Sequence, residues 1–231
     1  VTIAPTVDPG RCELKFVARD TLAHHVAAWL RTHARAFLEA HPPRWVNSVY
    51  FDSYDYTAYH RTLSGISERA KVRFRWYGPC PTPGSGALEV KLKRDAQGWK
   101  IAYPVASAPA SPGATWREIA ERIATQIPLA GRRWLDAHQQ PVLISRFRRQ
   151  YWMTCDGEIR ATLDTDQSFY DQRYRPTPDL SRRANVAPTM VLEIKCTPAY
   201  ADELPALLAG LPLTLSRNSK YCHGLRAMQS Y

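Results

Sequence analysis

The 231-residue chain is short of the residues on which metal knuckles, disulfide frameworks and membrane spans depend. Its five cysteines, Cys12, Cys80, Cys155, Cys196 and Cys222, are odd in number and scattered, with no CxxC spacing. That excludes a zinc knuckle and reads as reduced thiols in a cytoplasmic protein. The seven histidines include no HExxH pair, and His24 and His25 fall on a predicted helix. No run is long and apolar enough to span a bilayer, and no signal peptide is visible. The chain opens on Val1 rather than Met, so a lost targeting segment stays open. Internal repeats and low-complexity tracts are also missing.

What is present is a sizeable apolar fraction, 45%, and a strong basic excess, 31 Lys and Arg against 21 Asp and Glu. The first predicts one domain over residues 1–231. The second, with a pI near 9.6, favours an anionic partner without choosing among nucleic acid, anionic lipid and polyphosphate.

Helical spacing of Leu22, Val26, Leu30, Phe37 and Leu38 predicts a helix over 21–40, capped by Asp20. Ser53 is expected to cap a short helix through Leu63. Thr115-Trp116-Arg117-Glu118 is a capping box opening a helix to about Ile127. Further helices are expected over 132–138, 202–211 and 219–228. Pro79 to Gly86 reads as a hairpin loop, Ala106 to Gly113 as a linker, and Tyr174 to Ala187 as a long loop.

The informative segments lie between the helices. Side chains alternate along a strand, so residues two apart share a face. Arg69, Lys71, Arg73 and Arg75 share one face, against Ala70, Val72, Phe74 and Trp76. Glu89, Lys91 and Lys93 oppose Leu88, Val90 and Leu92; Glu13 and Lys15 alternate with Leu14 and Phe16; Glu193 and Lys195 alternate with Leu192 and Ile194. Arg160, Thr162 and Asp164 oppose Ile159, Ala161 and Leu163. Arg146, Arg148 and Gln150 share a face of 144–152, where Arg149 interrupts the apolar side. A single strand of this kind is ordinarily the wet face of an antiparallel sheet. Here the polar positions are mostly ionic, four cations in a row repel unless an anion sits among them, and the layout recurs on distant strands.

Curled with these faces inward, six strands would enclose about a dozen cations and a few carboxylates. Such a lumen stays wet and needs a polyanion, since burying unpaired cations is prohibitive. The expected fold is α+β, an antiparallel barrel-like tunnel with helices packed outside. Arg offers phosphate a bidentate fork and Lys a point charge. The carboxylates suit Mg2+ or Mn2+ held together with phosphate oxygens, Glu193 first and Glu13 and Glu89 as helpers. Each could equally be a salt-bridge partner of a neighbouring lysine, and Asp164 and Asp166 could belong to a turn.

The ordered set Glu13-Leu14-Lys15-Phe16, Val49-Tyr50-Phe51-Asp52, 71–78 (KVRFRWYG), Leu88-Glu89-Val90-Lys91, 159–164 (IRATLD), 191–195 (VLEIK) and Ser219-Lys220-Tyr221 resembles the VTC domain over nearly the whole chain. That is the catalytic domain of the vacuolar transporter chaperone complex and its bacterial relatives, within the triphosphate tunnel metalloenzymes of the CYTH-like superfamily. The resemblance implies a tunnel, a divalent metal and transfer of the ATP γ-phosphate to a growing polyphosphate chain. It assigns phosphate binding to Lys15, Arg73, Arg75, Lys91, Arg148, Arg160 and Lys220, with Ser219 and Lys100 as further contacts, and metal binding to Glu193. Lys71, Lys93, Arg146 and Lys195 join the phosphate-binding set by their strand faces. Arg146 stands where the family often has Tyr two residues before its tunnel arginine, and Arg217 where Lys is common; both bear on substrate length.

Arg73, Arg75, Lys91 and Glu193 are therefore the expected catalytic group. A metal-dependent tri- or polyphosphatase and a non-catalytic polyphosphate-binding module are the alternatives. Trp76, Tyr77 and Trp99 could stack bases, but cations that converge inward do not make a surface stripe, so no nucleic acid is expected. The sequence is silent on a membrane-protein partner.

Overall fold

A computed structural model describes residues 5–8, 12–95 and 97–229. Among them nine strands form one wholly antiparallel sheet: β1 (Thr6–Asp8), β2 (Cys12–Arg19), β3 (Phe37–Asp52), β4 (Arg69–Tyr77), β5 (Gly86–Arg94), β6 (Gln97–Val105), β7 (Gln140–Thr154), β8 (Ile159–Asp171) and β9 (Thr189–Cys196). Their order is β1-β6-β5-β4-β3-β7-β8-β9-β2. The sheet is curled rather than closed: β5 and β2 are not neighbours, yet Lys91 on β5 lies 3.4 Å from Glu13 on β2. The edge of β2 is shielded by the chain near Leu215, where Ser216 N–H donates to the Lys15 carbonyl at 2.8 Å.

Six α-helices accompany the sheet among the described residues: α1 (Ala23–Thr32), α2 (Thr57–Leu63), α3 (Trp116–Gln126), α4 (Leu129–Ala137), α5 (Leu204–Leu207) and α6 (Lys220–Gln229). The convex side carries two apolar clusters. Val72, Phe74, Trp76, Leu88 and Val90 pack with Trp116, Ile119 and Ile123 of α3 and Leu135 of α4. Phe16, Leu163, Leu192 and Ile194 pack with Val26 and Leu30 of α1 and Leu204 and Leu207 of α5. Each such aliphatic side chain contributes roughly 1.5–3 kcal/mol by burial. These are the outward faces that the alternation predicts. The capping box also forms: Thr115 Oγ1 accepts from Glu118 N–H at 3.2 Å and Thr115 N–H donates back to the Glu118 carboxylate at 2.7 Å.

The third cluster lies on the concave side. Tyr221, Cys222, Leu225 and Met228 of α6 meet Tyr50, Leu143 and Phe169 there. A Cβ on Gly224 would come within 2.7 Å of Leu143 and Phe169, so only glycine lets α6 approach this closely.

Several expected elements differ. The helix over 21–40 ends at Thr32, and Phe37 and Leu38 open β3, after Ala36 takes a left-handed φ of 48°. β3 contains Pro42 and Pro43, tolerated because they fall where its register with β7 shifts between His41 and Arg44. The helix after Ser53 begins at Thr57; Ser53 Oγ accepts from Thr57 N–H at 3.1 Å as expected, and Asp52 adds two caps, accepting from Ala58 N–H at 2.9 Å and Tyr59 N–H at 3.1 Å. The segment expected as a helix over 202–211 is a 3-10 stretch, Pro198–Glu203, followed by one α turn.

Candidate functional site

Paired residues on antiparallel strands share a face, so the register defines the concave surface. Across β5, β4, β3 and β7 it places Ala87, Arg75, Ser48 and Ser145 in one row, and Glu89, Arg73, Tyr50 and Leu143 in the next. Lys91 pairs with Lys71 and Lys100. Across β7, β8, β9 and β2 it places Tyr151, Thr162, Glu193 and Lys15 in one row, with Arg160, Lys195 and Glu13 beside them. Arg73, Arg75, Lys91 and Glu193 thus share the concave surface with Lys15, Lys71, Lys93, Lys100, Arg160, Lys195, Glu13 and Glu89.

Four carboxylates neutralise much of this cationic surface. Glu89 receives Arg73 at 2.6 Å, Lys100 at 3.1 Å and Arg75 at 3.7 Å. Burial pushes its pKa up, but Arg75, Arg73 and Lys100 outweigh that and hold it far below the usual carboxylate range. Asp164 is fully buried and takes Arg149 through two bonds of 2.6 and 2.8 Å, and Lys220 at 2.6 Å. Glu13 pairs closely with Lys15 and reaches Lys91 at 3.4 Å and Lys195 at 3.6 Å. Glu193 pairs with Lys195 at 2.9 Å and Lys15 at 3.9 Å. Burial and Glu193 push the Glu13 carboxyl up, yet Lys91, Lys15 and Lys195 keep it below its ordinary value. Lys91 is pushed down to about 8, by burial first and then by Lys15, with Glu13 and Glu193 resisting.

The helix α6 supplies one end of this site. Lys71 donates to Ser219 Oγ at 2.9 Å, Lys220 reaches Asp164, and Tyr221 Oη donates to Asp52 at 2.5 Å. Tyr221 stacks on Tyr50, whose hydroxyl accepts from Arg73 at 3.2 Å.

Strand β7 overturns one expectation. Its register places Leu143, Ser145, Phe147, Arg149 and Tyr151 on the concave side, and Arg146 and Arg148 on the convex side, where Arg146 lies 4.3 Å over the Trp45 ring. The tunnel arginine of this strand is Arg149, not Arg148. The residue two before it is Phe147, so the departure from Tyr falls on Phe147, an aromatic without the hydroxyl, and not on Arg146. The strand misleads because its concave face turns apolar where α6 covers it, which inverts the polarity signal. The bidentate Arg149–Asp164 pair is what identifies the inward side, and it lies beyond a bulge at Asp166, whose φ is 52°.

The carboxylates divide in their capacity for a metal. Glu89 is paired with three cations and Asp164 with two, and Glu13 and Glu193 are likewise paired with three and two, which realises the salt-bridge alternative for Glu89, Glu13 and Glu193 alike. What sets Glu13 and Glu193 apart is that they face the same two lysines, Lys15 and Lys195, from adjacent strands, so that one ion could take both. Glu193 is near enough to push the Glu13 carboxyl up, yet neighbouring cations keep both carboxyls below their ordinary value. Beside Glu193 across the β8–β9 pair stands Thr162, whose buried Oγ1 has no partner, and Ser145 Oγ on the same surface is also unpartnered. No group of three or more His, Cys, Asp or Glu side chains is gathered among the described residues. Two hard carboxylates and an orphaned hydroxyl fit Mg2+ or Mn2+, which take few protein ligands and complete their shell with phosphate oxygens and water.

Comparison with known proteins agrees with this geometry. The VTC domain profile matches residues 10–229. The chain belongs to the VTC domain family. No curated protein matches it by sequence. This VTC domain is similar in fold to a putative adenylyl cyclase from Hippeastrum described by a dominant triphosphatase activity, with a TM-score of 0.51, 14% identity, and coverage of 94% of this chain and 96% of that one. It is also similar to a putative adenylate cyclase from Vibrio parahaemolyticus, with a TM-score of 0.51, 13% identity, and coverage of 96% and 98%. These likenesses show the shared tunnel fold, and that fold family implies a divalent metal. No described helix is long and apolar enough to cross a membrane.

Proposed function

We propose that this VTC domain transfers the γ-phosphate of ATP to a growing polyphosphate chain in its basic tunnel. The observation that carries the reading is the lumen itself: Lys15, Arg73, Arg75, Lys91, Lys100, Arg149, Lys195 and Lys220 share four carboxylates on one concave surface. A phosphate chain replaces those carboxylates as counter-ion to the half-wetted cations. Arg73, Arg75, Lys91 and Lys100 would hold the triphosphate, with Lys15, Lys71, Arg160, Lys195 and Ser219 along its course. Arg149 and Lys220, fixed by Asp164, present their remaining N–H donors to it. Glu13 and Glu193 would hold Mn2+ or Mg2+. When bound, the ion would neutralise charge developing on the transferred group and the leaving oxygen.

Phosphoryl transfer is mostly positioning and charge neutralisation. The terminal oxygen of a phosphate chain is already anionic near neutral pH and needs no base, whereas water benefits from one. Glu89 and Asp164, the lumen carboxylates not assigned to the metal, are each paired with two or more cations and are poor bases, which favours the chain end as acceptor. The hydrolytic alternative, a metal-dependent tri- or polyphosphatase, draws support from the activity in the Hippeastrum protein's description. The five free thiols support a reducing, cytoplasmic setting.

Incubation with ATP and Mn2+ tests the proposal. The expected products are ADP and long-chain polyphosphate. Orthophosphate without chains makes the protein a hydrolase, and tight polyphosphate binding without turnover makes it a binding module.

A further inference from the structure

One corner of the concave surface, beside Arg149, carries an arginine that joins none of the ion pairs. Arg44 is exposed, and no described carboxylate pairs with it. Its guanidinium lies 4.1 Å over the Tyr77 ring and 4.9 Å over the Tyr151 ring, and its Nε donates to Tyr151 Oη at 3.1 Å. Tyr77 keeps 45% of its surface open to solvent. The register puts all three on the tunnel side: Arg44 pairs with Arg149, and Tyr77 with Val46 in the row next to Arg75 and Ser48. Arg160, two residues from the Thr162 that pairs with Tyr151, is exposed on the same rim and makes no hydrogen bond or ion pair to a described residue.

The opposite end of the same strands is filled. Tyr50 and Asp52 of β3 are covered by Tyr221, and Lys71 is tied to Ser219. From Arg44 to Tyr50 is six strand residues, about 20 Å, with Ser48, Arg75 and Arg73 along the way. A triphosphate held by Arg73, Arg75 and Lys91 therefore has α6 at one end and open flat groups at the other. Phosphate has no use for tyrosine rings, but a base stacks on aromatic faces and guanidinium planes alike.

We propose that Tyr77, Arg44 and Tyr151 form a stacking rim for the purine or pyrimidine of a nucleoside triphosphate, so that the nucleoside leaves the tunnel at this mouth. The rim separates nucleotide from inorganic triphosphate, because only the nucleotide has a base to place there. Arg44 and Tyr77 act as specificity residues, while the lumen cations serve both ligands. This assignment rests on the reading of the lumen as a triphosphate site.

The test is titration calorimetry with ATP and with inorganic tripolyphosphate, on the full chain and on Arg44→Ala and Tyr77→Ala. ATP affinity is expected to fall about tenfold in each variant, the scale of one lost stacking contact, with tripolyphosphate affinity unchanged. Equal losses for both ligands in Arg44→Ala would make Arg44 a phosphate ligand and overturn the rim, as would unchanged affinity for both. Tyr77→Ala removes no charge, so an altered tripolyphosphate affinity there also contradicts the assignment. If the unaltered chain binds no tripolyphosphate, the lumen reading itself has failed. If it binds and the variants do not discriminate, only the rim has failed.

Discussion

The concave surface has two halves, built by overlapping strands, that differ in almost everything else. Toward β2, β9 and β5 it is ionic, wetted and balanced by Glu13, Glu89 and Glu193. Toward the α6 end it is apolar, with Leu143 and Phe169 against Gly224 and Tyr50 against Tyr221. Between them the buried Asp164 joins Arg149 of the sheet to Lys220 of α6. The ionic half is arranged to exchange its partners for a ligand. The apolar half is arranged to hold α6, and through it Lys220 and Ser219, in place.

The seam between the halves should be the most sensitive point. Arg149→Ala leaves Asp164 buried with Lys220 alone, and is expected to cost about 3–5 kcal/mol of stability in urea unfolding. A cost near zero would mean that Asp164 is not buried as described. Glu193→Gln keeps the shape of the ionic half but halves its metal-holding charge. Turnover of ATP with Mn2+ is expected to fall by a hundredfold or more, several kcal/mol of barrier, while tripolyphosphate still binds without metal. Unchanged turnover removes Glu193 from the chemistry. Gly224→Ala attacks only the apolar half. It should lower stability by about 1–3 kcal/mol through overpacking against Leu143 and Phe169, with a smaller effect on tripolyphosphate affinity measured well below the melting temperature. A large affinity loss without a stability loss would reverse that division of labour.

The smallest effect is one of pH. Lys91 in the free protein titrates near 8, below its ordinary value, whereas a bound polyanion requires and favours its charged form. Affinity for tripolyphosphate should be full below pH 8 and fall above it, by at most about tenfold per unit from this group. In Lys91→Arg the slope between pH 8 and 9 should vanish. The sign for stability is opposite. Between about 8 and the unfolded lysine value the unfolded chain binds the extra proton, so Lys91 alone makes the free protein more stable as pH rises through that window.

What could be read from sequence followed the same division. On β4 and β5 the alternation of Arg69 to Trp76 and Leu88 to Lys93 was unambiguous, because one face is ionic and the other packs under α3. The family resemblance singled out Glu193 and Lys220, and both lie on the concave surface. On β7 alternation gave the wrong phase: Phe147 and Leu143 are apolar because α6 lies on them, and α6 comes from the far end of the chain. Arg149 looked like an interruption for that reason. β3 was hidden by Pro42-Pro43 and by the helical spacing of Phe37 and Leu38 with the residues of α1. The resemblance named Lys100 and included Tyr50, but their faces, and that of Arg44, followed only once β6 and β3 were known to be strands. Single-strand periodicity reports the medium on each side, and it fails where a distant segment supplies that medium.

The direct test of the account is calorimetric titration of inorganic tripolyphosphate into the free chain and into Arg73→Ala. Arg73 sits at the centre of the ionic half, donating to Glu89 and to Tyr50. The account predicts saturable one-site binding that weakens with salt, and a loss of at least tenfold in the variant, the scale of one charge-assisted contact. Binding of unchanged strength in Arg73→Ala would contradict the central claim that phosphates occupy the concave surface.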